Sequence, residues 1–269
     1  MKWGVSKVSI PVFDLEESIN FYNFILGNDI ETKINDIDFL DEYYVCGGNI
    51  ELRLYKLKNE LSNNHSSQSR RTFPTLALNN LDLIVKSLKD DGINYSINEH
   101  DKSIIIQEPG LNFIELINLE TSKKISNKEE NNKWNFHHIN LECYDVRSSV
   151  NFVSQYLKMK EGAWKAPVEL GKVNIKPNQL AIFNLDDNHS GIHINKADFT
   201  FSSRNNFMHN PTIGGHPAFN VKDIKLFIKK LKSSDIAVTD AKIYAMPNIH
   251  QIYFFDPSAN IIEVNQNIN

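Results

Sequence analysis

Short stretches in which apolar and polar residues alternate recur four times along the chain, and each leads through an aspartate into a helical pattern. The four segments read KVSIPVFD at 7–14, TLALNNLD at 75–82, HINLECYD at 138–145 and HPAFNVKD at 216–223. Alternation at period two is typical of a half-buried strand, and an aspartate before an amphipathic stretch is typical of a helix N-cap. Further runs rich in Ile, Val, Phe and Tyr follow each helical stretch. The pattern therefore predicts four βαβββ modules.

The modules fall into two halves separated by a polar stretch without aromatic residues. Residues 120–133 read ETSKKISNKEENNK, a composition typical of a linker. We therefore expect an α+β fold in which the four modules pair into two cupped mixed sheets, one in residues 1–119 and one in residues 134–269. The halves keep one pattern but differ in the residue types at equivalent positions, which suggests a supporting half and a working half.

The second half carries metal-ligand residue types at the positions that the repeat makes equivalent. His138 and His216 lie in matched strands, seven residues before an aspartate, and Glu263 lies on the last strand. Two imidazoles and one carboxylate that face one cavity form a site for a divalent metal, with coordination left for water or substrate. His193, in the strand GIHIN, is a fourth candidate ligand. His137 adjoins His138, and strand alternation predicts that it faces the opposite side of the sheet.

The first half lacks such a set at the positions aligned with these ligands, which are Lys7, Glu51, Thr75 and Glu115. A protonated lysine does not bind a cation, and one threonine with two carboxylates is a poor transition-metal set. We therefore expect no transition metal in this half, and a buried salt bridge between Lys7 and Glu115 in its place.

The segments HHINL, HPAFNVKD and YFFDPSANIIE resemble ligand-bearing motifs of the vicinal oxygen chelate superfamily. That superfamily includes glyoxalase I, fosfomycin and bleomycin resistance proteins, methylmalonyl-CoA epimerase and type I extradiol dioxygenases. The resemblance covers nearly the whole chain apart from the linkers. It implies one divalent transition metal (Zn, Ni, Mn, Co or Fe(II)) inside a cupped sheet, bound by His138, His216 and Glu263, with His193 at the remaining position. Such an ion chelates substrate oxygens and stabilises developing negative charge.

Three classes of function follow from this resemblance. The first is a metal-dependent lyase or isomerase of the glyoxalase type, in which Glu263 is both ligand and base. The second is an Fe(II) extradiol-type dioxygenase, favoured by Tyr253, because the family places a tyrosine that hydrogen-bonds a phenolic oxygen ten residues before the ligand glutamate. The third is a bleomycin resistance-like protein that binds a drug without chemistry, and the metal-ligand set argues against it. Iron with His193 outside the first coordination shell indicates the dioxygenase, and another metal with His193 bound indicates the lyase.

One catalytic group of the dioxygenases is not evident in the sequence. Their acid–base histidine is expected upstream of Tyr253, where Tyr244 stands instead. His189, in the loop before Gly191, is a candidate proton relay for the site.

Composition excludes several other classes of function. The formal net charge is −4 and no long basic stripe occurs, so nucleic-acid binding is not expected. No apolar run is long enough to span a bilayer and no signal peptide is evident, so we expect a cytoplasmic protein without a membrane partner. The expected partner is a small-molecule substrate, and a homodimer is compatible with the sequence.

Overall fold

A computed structural model describes residues 2–27, 31–34, 42–46, 49–56, 69–98, 102–120, 134–165 and 176–268. Within the described part of the first half, the elements are β1 (Trp3–Val12), α1 (Leu15–Leu26), β2 (Glu31–Ile34), β3 (Glu42–Cys46), β4 (Glu51–Lys56), β5 (Phe73–Leu78), α2 (Leu81–Asp90), β6 (Tyr95–Asn98), β7 (Ser103–Gln107) and β8 (Phe113–Asn118). The expected linker falls outside the described residues except for Glu120.

In its described residues the second half follows a similar order, with two strands in place of three after its first helix and one additional short helix. Its described elements are β9 (Trp134–Cys143), α3 (Val146–Tyr156), β10 (Leu180–Asn184), β11 (Gly191–Lys196), α4 (Phe201–Asn205), β12 (His216–Val221), α5 (Ile224–Lys232), β13 (Thr239–Ile243), β14 (Ile249–Phe255) and β15 (Ile261–Asn267). Among the described helices, none combines the length and the apolarity that a membrane span requires.

Each half forms one mixed sheet built from two modules. The strand order is β2-β3-β4-β1-β5-β8-β7-β6 in the first sheet and β10-β11-β9-β12-β15-β14-β13 in the second. The first strands of two modules pair antiparallel at the centre, β1 with β5 and β9 with β12. Each first strand also pairs in parallel with the last strand of its own module. The predicted α+β fold of four paired modules is confirmed. In the third module three strands are described, and residues 166–175 lie outside the described residues.

Aspartate side chains begin three of the helices as the sequence predicts. Asp14, Asp145 and Asp223 each accept hydrogen bonds from backbone N–H groups of the first turn, which stabilises the helix start. The prediction is wrong for Asp82, because α2 has its N-cap at Asn80, in a left-handed conformation without a side-chain cap. The second module is therefore shifted by two residues relative to the alignment expected from sequence.

Strand register corrects two further equivalences between the halves. In the centre of the first sheet Ser9 pairs with Phe73, and in the second Asn140 pairs with His216. Phe73, and not Thr75, is therefore the counterpart of His216. By the same reasoning Arg53, and not Glu51, is the counterpart of the fourth candidate ligand, His193, because Arg53 pairs with Ser9 and His193 pairs with Asn140.

A β-bulge interrupts the central pairing at the same place in both sheets. On β9 the register passes from His138 to Phe136 and skips His137, and on β1 it passes from Lys7 to Val5 and skips Ser6. A bulge places one additional residue on its strand and breaks the alternation of side chains. The bulge therefore belongs to the fold and determines where His137 lies.

The two halves contact each other through buried polar groups and aromatic rings. The Tyr22 hydroxyl on α1 donates to Asp256 Oδ2 at 3.0 Å, and the Phe21 ring lies 6.3 Å from that of Phe254. The Asn260 side-chain amide donates to the Pro11 carbonyl oxygen at 2.7 Å. The loop between β14 and β15, which precedes Glu263, is therefore held by the first half.

Candidate metal centre

Strand alternation gathers polar side chains on one face of the second sheet. Ile139 and Leu141 on β9 belong to the hydrophobic core with Val150 and Val153 of α3. His138 lies between core residues in the sequence and so faces away from that core. The same alternation holds on the neighbouring strands and carries their polar residues to the same face, namely His193 on β11, His216 on β12, Gln251 and Tyr253 on β14, and Glu263 on β15.

Three of these side chains meet at one point. Potential ligand atoms of His138, His216 and Glu263 all lie within 4.8 Å of one another, and all three residues are buried. His216 Nε2 is 3.0 Å and His138 Nε2 is 3.6 Å from Glu263 Oε2. Ligands about 2.1 Å from one ion at right angles would lie about 3 Å apart. The spacing therefore fits a single divalent ion after small movements.

The protonation states also fit a cation. Burial raises the pKa of Glu263, but attraction to His138 and the hydrogen bond from His216 outweigh it and hold the pKa well below its usual range. Burial lowers the pKa of His216, although Glu263 opposes this shift. At neutral pH the cluster thus contains an ionised carboxylate and a neutral imidazole. Within the described part of the chain, the ion-pair partners of Glu263 are these two histidines, so its buried charge favours a bound metal.

His193 lies beside the three-residue group and not within it. Its ring stacks on that of His138, with centroids 3.8 Å apart and an angle of 19° between the planes. Its Nε2 donates to the His189 carbonyl oxygen at 2.7 Å, which leaves the lone pair on Nδ1. Burial lowers its pKa well below the usual value, so the ring is neutral. The structure therefore places this predicted ligand in contact with the site, with one nitrogen already engaged by the backbone.

Tyr253 lies next to Glu263, since the two residues pair directly across β14 and β15. Burial, and then the negative charge of Glu263, raise the pKa of Tyr253 well above its usual value. The hydroxyl therefore keeps its proton at neutral pH. Gln251 Nε2 bridges the two, donating to Glu263 Oε1 at 3.0 Å and to the Tyr253 hydroxyl at 3.1 Å. Sequence reasoning missed Gln251, although it stands two residues before Tyr253 on the same face.

His189 occupies a different place from the one expected of a proton relay. Its ring packs against Trp164, with centroids 4.8 Å apart, and its Nε2 accepts from the Lys165 backbone N–H. The side chain lines a second cavity, and its link to the site is the carbonyl oxygen that holds His193. His189 thus contacts the site through its backbone carbonyl oxygen, while its ring nitrogen Nε2 is engaged by the Lys165 N–H.

His137 corrects the expectation from strand alternation. Its Nδ1 lies 2.7 Å from Nδ1 of His138, and its Nε2 lies 2.9 Å from the Asn188 carbonyl oxygen. The β-bulge explains this, because at a bulge successive side chains need not point to opposite faces. Sequence reasoning placed His137 away from His138 because a bulge is a pairing feature that one strand alone does not reveal.

A cavity of about 1000 Å³ opens beside the three-residue group and is lined by His138, His193 and Glu263. Its walls include aromatic residues from the loops and from α4, among them Trp164, Phe201 and Tyr244. Arg204 lines the rim and forms an ion pair with Asp198. The volume lies at the upper end of the usual range for small-molecule sites, and the mixture of aromatic walls with a few polar groups is typical of them.

The corresponding place in the first half holds an ion pair. Glu115, the counterpart of Glu263, lies 3.8 Å from Arg53 Nη2 and is fully buried. Burial raises the pKa of Glu115, but Arg53, Lys7 and hydrogen bonds from Ser103 and Thr75 outweigh it and lower the pKa overall. The sequence predicted Lys7 as the partner of Glu115; the ion pair that the structure shows is with Arg53, and the charge of Lys7 adds to it. Within the described residues, the group that could hold a metal is confined to the second half.

No protein-family profile and no curated protein matches the chain. Solved structures, in contrast, match it over nearly its whole length. The 2,3-dioxygenase LapB from Pseudomonas sp. KL28 superimposes with a TM-score of 0.68 at 14% identity, covering 100% of this chain and 92% of that one. The Mn(II)-bound glyoxalase from Novosphingobium aromaticivorans gives 0.64 at 14% identity, covering 98% and 82%. A catechol 2,3-dioxygenase gives 0.63 at 13% identity, covering 98% and 88%.

These neighbours are two 2,3-dioxygenases and a glyoxalase. At this level of identity the likeness concerns the fold, and the reaction is a separate question. The chain therefore has the fold of these dioxygenase and glyoxalase structures over nearly its whole length.

Proposed function

We propose that the protein is an Fe(II)-dependent extradiol-type dioxygenase that opens a catecholic ring in the second half. The observation that carries the proposal is the three-residue group of His138, His216 and Glu263, beside which His193 is engaged by a backbone carbonyl. Two histidines and one carboxylate with open positions are the donor set of non-haem Fe(II) oxygenases. Bound iron would supply adjacent positions for a catecholate and for dioxygen and would stabilise the negative charge that develops there.

His193 and Tyr253 supply the proton chemistry in this proposal. The lone pair on Nδ1 of a neutral His193, one ring away from the ligand His138, makes it the candidate to take a proton from a catechol hydroxyl. Tyr253 keeps its own proton and can donate a hydrogen bond to a phenolate oxygen. His193 thus fills the role of the acid–base histidine that was not evident in the sequence.

The cavity and the structural neighbours support an aromatic substrate. Trp164, Phe201 and Tyr244 offer ring faces and edges that pack against a flat molecule. Two of the neighbouring structures are described as 2,3-dioxygenases, one of them acting on catechol. The size of the cavity leaves room for a substituted ring.

Ring cleavage is tested with the full chain reconstituted anaerobically with Fe(II). Catechol and alkyl-substituted catechols are added with oxygen, and oxygen uptake is recorded together with the visible absorbance of the ring-opened product. We expect one molecule of oxygen to be consumed for each molecule of ring-opened product. Both signals should be lost in His193→Phe, which retains His138, His216 and Glu263. Iron-loaded protein that binds catechols without consuming oxygen would overturn the proposal and favour a binding protein.

A glyoxalase-type lyase or isomerase is the second candidate. It is favoured by the closeness of the His193 and His138 rings, at 3.8 Å, which would let His193 join the ligands as a fourth donor after leaving the His189 carbonyl. A manganese-bound glyoxalase is among the structural neighbours. Turnover of a thiol hemiacetal by Zn-, Ni-, Co- or Mn-loaded protein, without oxygen uptake, would select this candidate.

A further inference from the structure

A series of hydrogen bonds leads from the protein backbone through His137 to Nδ1 of His138. The Asn188 carbonyl oxygen lies 2.9 Å from His137 Nε2, and His137 Nδ1 lies 2.7 Å from His138 Nδ1. His138 Nε2 lies at the other side of the ring, 3.6 Å from Glu263 Oε2. All three side chains are buried, so water does not compete readily for these contacts.

Which nitrogen donates in each of these hydrogen bonds follows from the backbone carbonyl at one end of the series. A carbonyl oxygen only accepts, so His137 Nε2 must carry the proton and donate it. In a neutral ring the other nitrogen, Nδ1, is then the acceptor. The only hydrogen that can lie between the two Nδ1 atoms is therefore that of His138, whose Nε2 keeps the lone pair. That lone pair points to the side where Glu263 lies and is the form that binds a metal.

The turn at residues 186–190 supplies the carbonyl oxygens that accept hydrogen bonds from His137 and from His193. Asp186 Oδ1 accepts from the backbone N–H groups of Asn188 and Ser190, at 2.8 and 3.2 Å. His189 between them has a left-handed backbone, with φ of 64°. The turn thus presents two successive carbonyl oxygens to the site: that of Asn188 accepts from His137, and that of His189 accepts from His193.

We propose that the turn 186–190 sets the tautomers of the site through these two carbonyls, and that His137 is the positioning residue that transmits the first of them to His138. His193 receives the second directly, which fixes its proton on Nε2 and its lone pair on Nδ1. The inference rests on the metal-binding part of the proposed function and is independent of whether the reaction is ring cleavage.

The bulge explains why His137, which hydrogen-bonds the ring of the proposed ligand His138, is also its neighbour in the sequence. Partners of metal-bound histidines usually come from other segments and fix the ring through its remaining N–H. Here the partner is the neighbouring residue, because the bulge at His137 brings both rings to one side, with centroids 5.0 Å apart. The counterpart in the first half, Ser6, uses its hydroxyl to bond the Thr75 carbonyl oxygen instead.

The tautomers are read directly by long-range ¹H–¹⁵N NMR of the full chain labelled at histidine nitrogens. The measurement is made on metal-free protein at mildly alkaline pH, where exposed imidazoles are neutral, and signals are assigned with single-histidine variants. We expect a proton on Nε2 of His137, on Nδ1 of His138 and on Nε2 of His193. A proton on Nε2 of His138 would overturn the proposal whether or not the protein cleaves catechols.

Zinc affinity of two substitutions gives a second test. His137→Phe keeps the ring shape without an acceptor, whereas His137→Asn places an amide oxygen near the position of Nδ1. We expect zinc affinity to fall about 10- to 100-fold in the Phe variant, the usual effect of losing such a partner, and to recover most of the way in the Asn variant. His250→Phe, which removes a histidine paired with Asp240, is the control and should bind zinc like the unsubstituted protein.

The outcomes separate the possible failures. Equal zinc affinity in His137→Phe and the unsubstituted protein would exclude a positioning role. Equal losses in the Phe and Asn variants, with unchanged thermal unfolding, would assign the effect to packing and also contradict the proposal. If the Phe variant does not fold, the NMR measurement on the unsubstituted chain still decides the tautomers. Expected tautomers without ring cleavage would overturn the proposed reaction and leave this inference standing.

Discussion

Each half has a buried glutamate at the equivalent position of its own sheet, but the two halves neutralise this charge differently. Glu115 has Arg53 beside it and the charge of Lys7 nearby, so its counter-charge belongs to the chain. Glu263 has imidazoles at the equivalent positions, and its counter-charge must come from protonation or from a bound cation. A buried carboxylate is stable only with a compensating charge. In the first half this charge is a permanent one on the side chains, and in the second half it is a proton or a metal ion that can be removed.

The support beneath the two carboxylates is otherwise alike. Ser103 donates to Glu115 Oε1 at 2.6 Å, and Gln251, at the equivalent strand position, donates to Glu263 Oε1 at 3.0 Å. In each sheet the carboxylate thus has one oxygen fixed by the neighbouring strand. The difference between a structural ion pair and a candidate metal centre therefore comes from the residues that face the other oxygen.

The matched pair Glu263→Gln and Glu115→Gln tests this contrast most strongly through metal affinity. We expect Glu263→Gln to weaken metal binding by about a thousandfold or more, equivalent to about 4 kcal/mol, because it removes an anionic ligand. Glu115→Gln should bind one ion per chain with unchanged affinity. Isothermal titration or chelator competition measures both. Similar losses in the two variants would contradict a site confined to the second half.

Stability in the presence of a chelator should show the opposite pattern. Removing one partner of a buried ion pair leaves the other charge uncompensated, so Glu115→Gln should lower the free energy of unfolding by about 3 kcal/mol. Metal-free Glu263→Gln should be no less stable than the unsubstituted chain, because it removes a buried charge that lacks a fixed cation. Urea unfolding of both variants measures the difference, and a larger loss in Glu263→Gln would reverse the interpretation.

Metal addition should stabilise only chains that retain Glu263. Binding to the folded state alone adds about 2.7 kcal/mol when the free ion is at a hundredfold excess over its Kd. The unsubstituted protein and Glu115→Gln should gain this increment alike, since the ion binds far from Glu115. The comparison is made by urea unfolding with and without the ion. An equal gain in Glu263→Gln would show that the ion binds elsewhere.

The contribution of Glu115 to the free energy of unfolding should decrease gradually as the pH falls. Its pKa is lowered in the folded protein from the usual 4.5, so the unfolded chain takes up this proton first as the pH falls. The stabilisation is therefore complete above about pH 4.5 and is lost on acidification towards the folded pKa, with a slope of up to about 1.4 kcal/mol per pH unit. Glu115→Gln should show a shallower decline over that range in unfolding measurements. An unchanged slope would mean that the ion pair does not lower this pKa.

The sequence predicted most of the architecture and the three residues that meet at the candidate metal centre because these depend on local periodicity. Strand alternation and helix caps identified the modules, and His138, His216 and Glu263 are each set by distance from a cap or turn within their own module. Equivalences that depend on pairing were less accurate. Glu51 and Thr75 stood in the expected first-half set, and the register replaced them with Arg53 and Phe73.

The sequence by itself determined the fold, the asymmetry between the halves and the metal-ligand residue types, since each of these is written in residue type and spacing. Only the tertiary structure decided that His137 contacts His138, that His193 lies beside the three-residue group and that the carbonyl oxygen of His189 accepts from His193. The first depends on a bulge between β9 and β12, and the others on the turn 186–190. Such features arise from hydrogen bonds between segments distant in sequence, and a pattern read along one strand does not contain them.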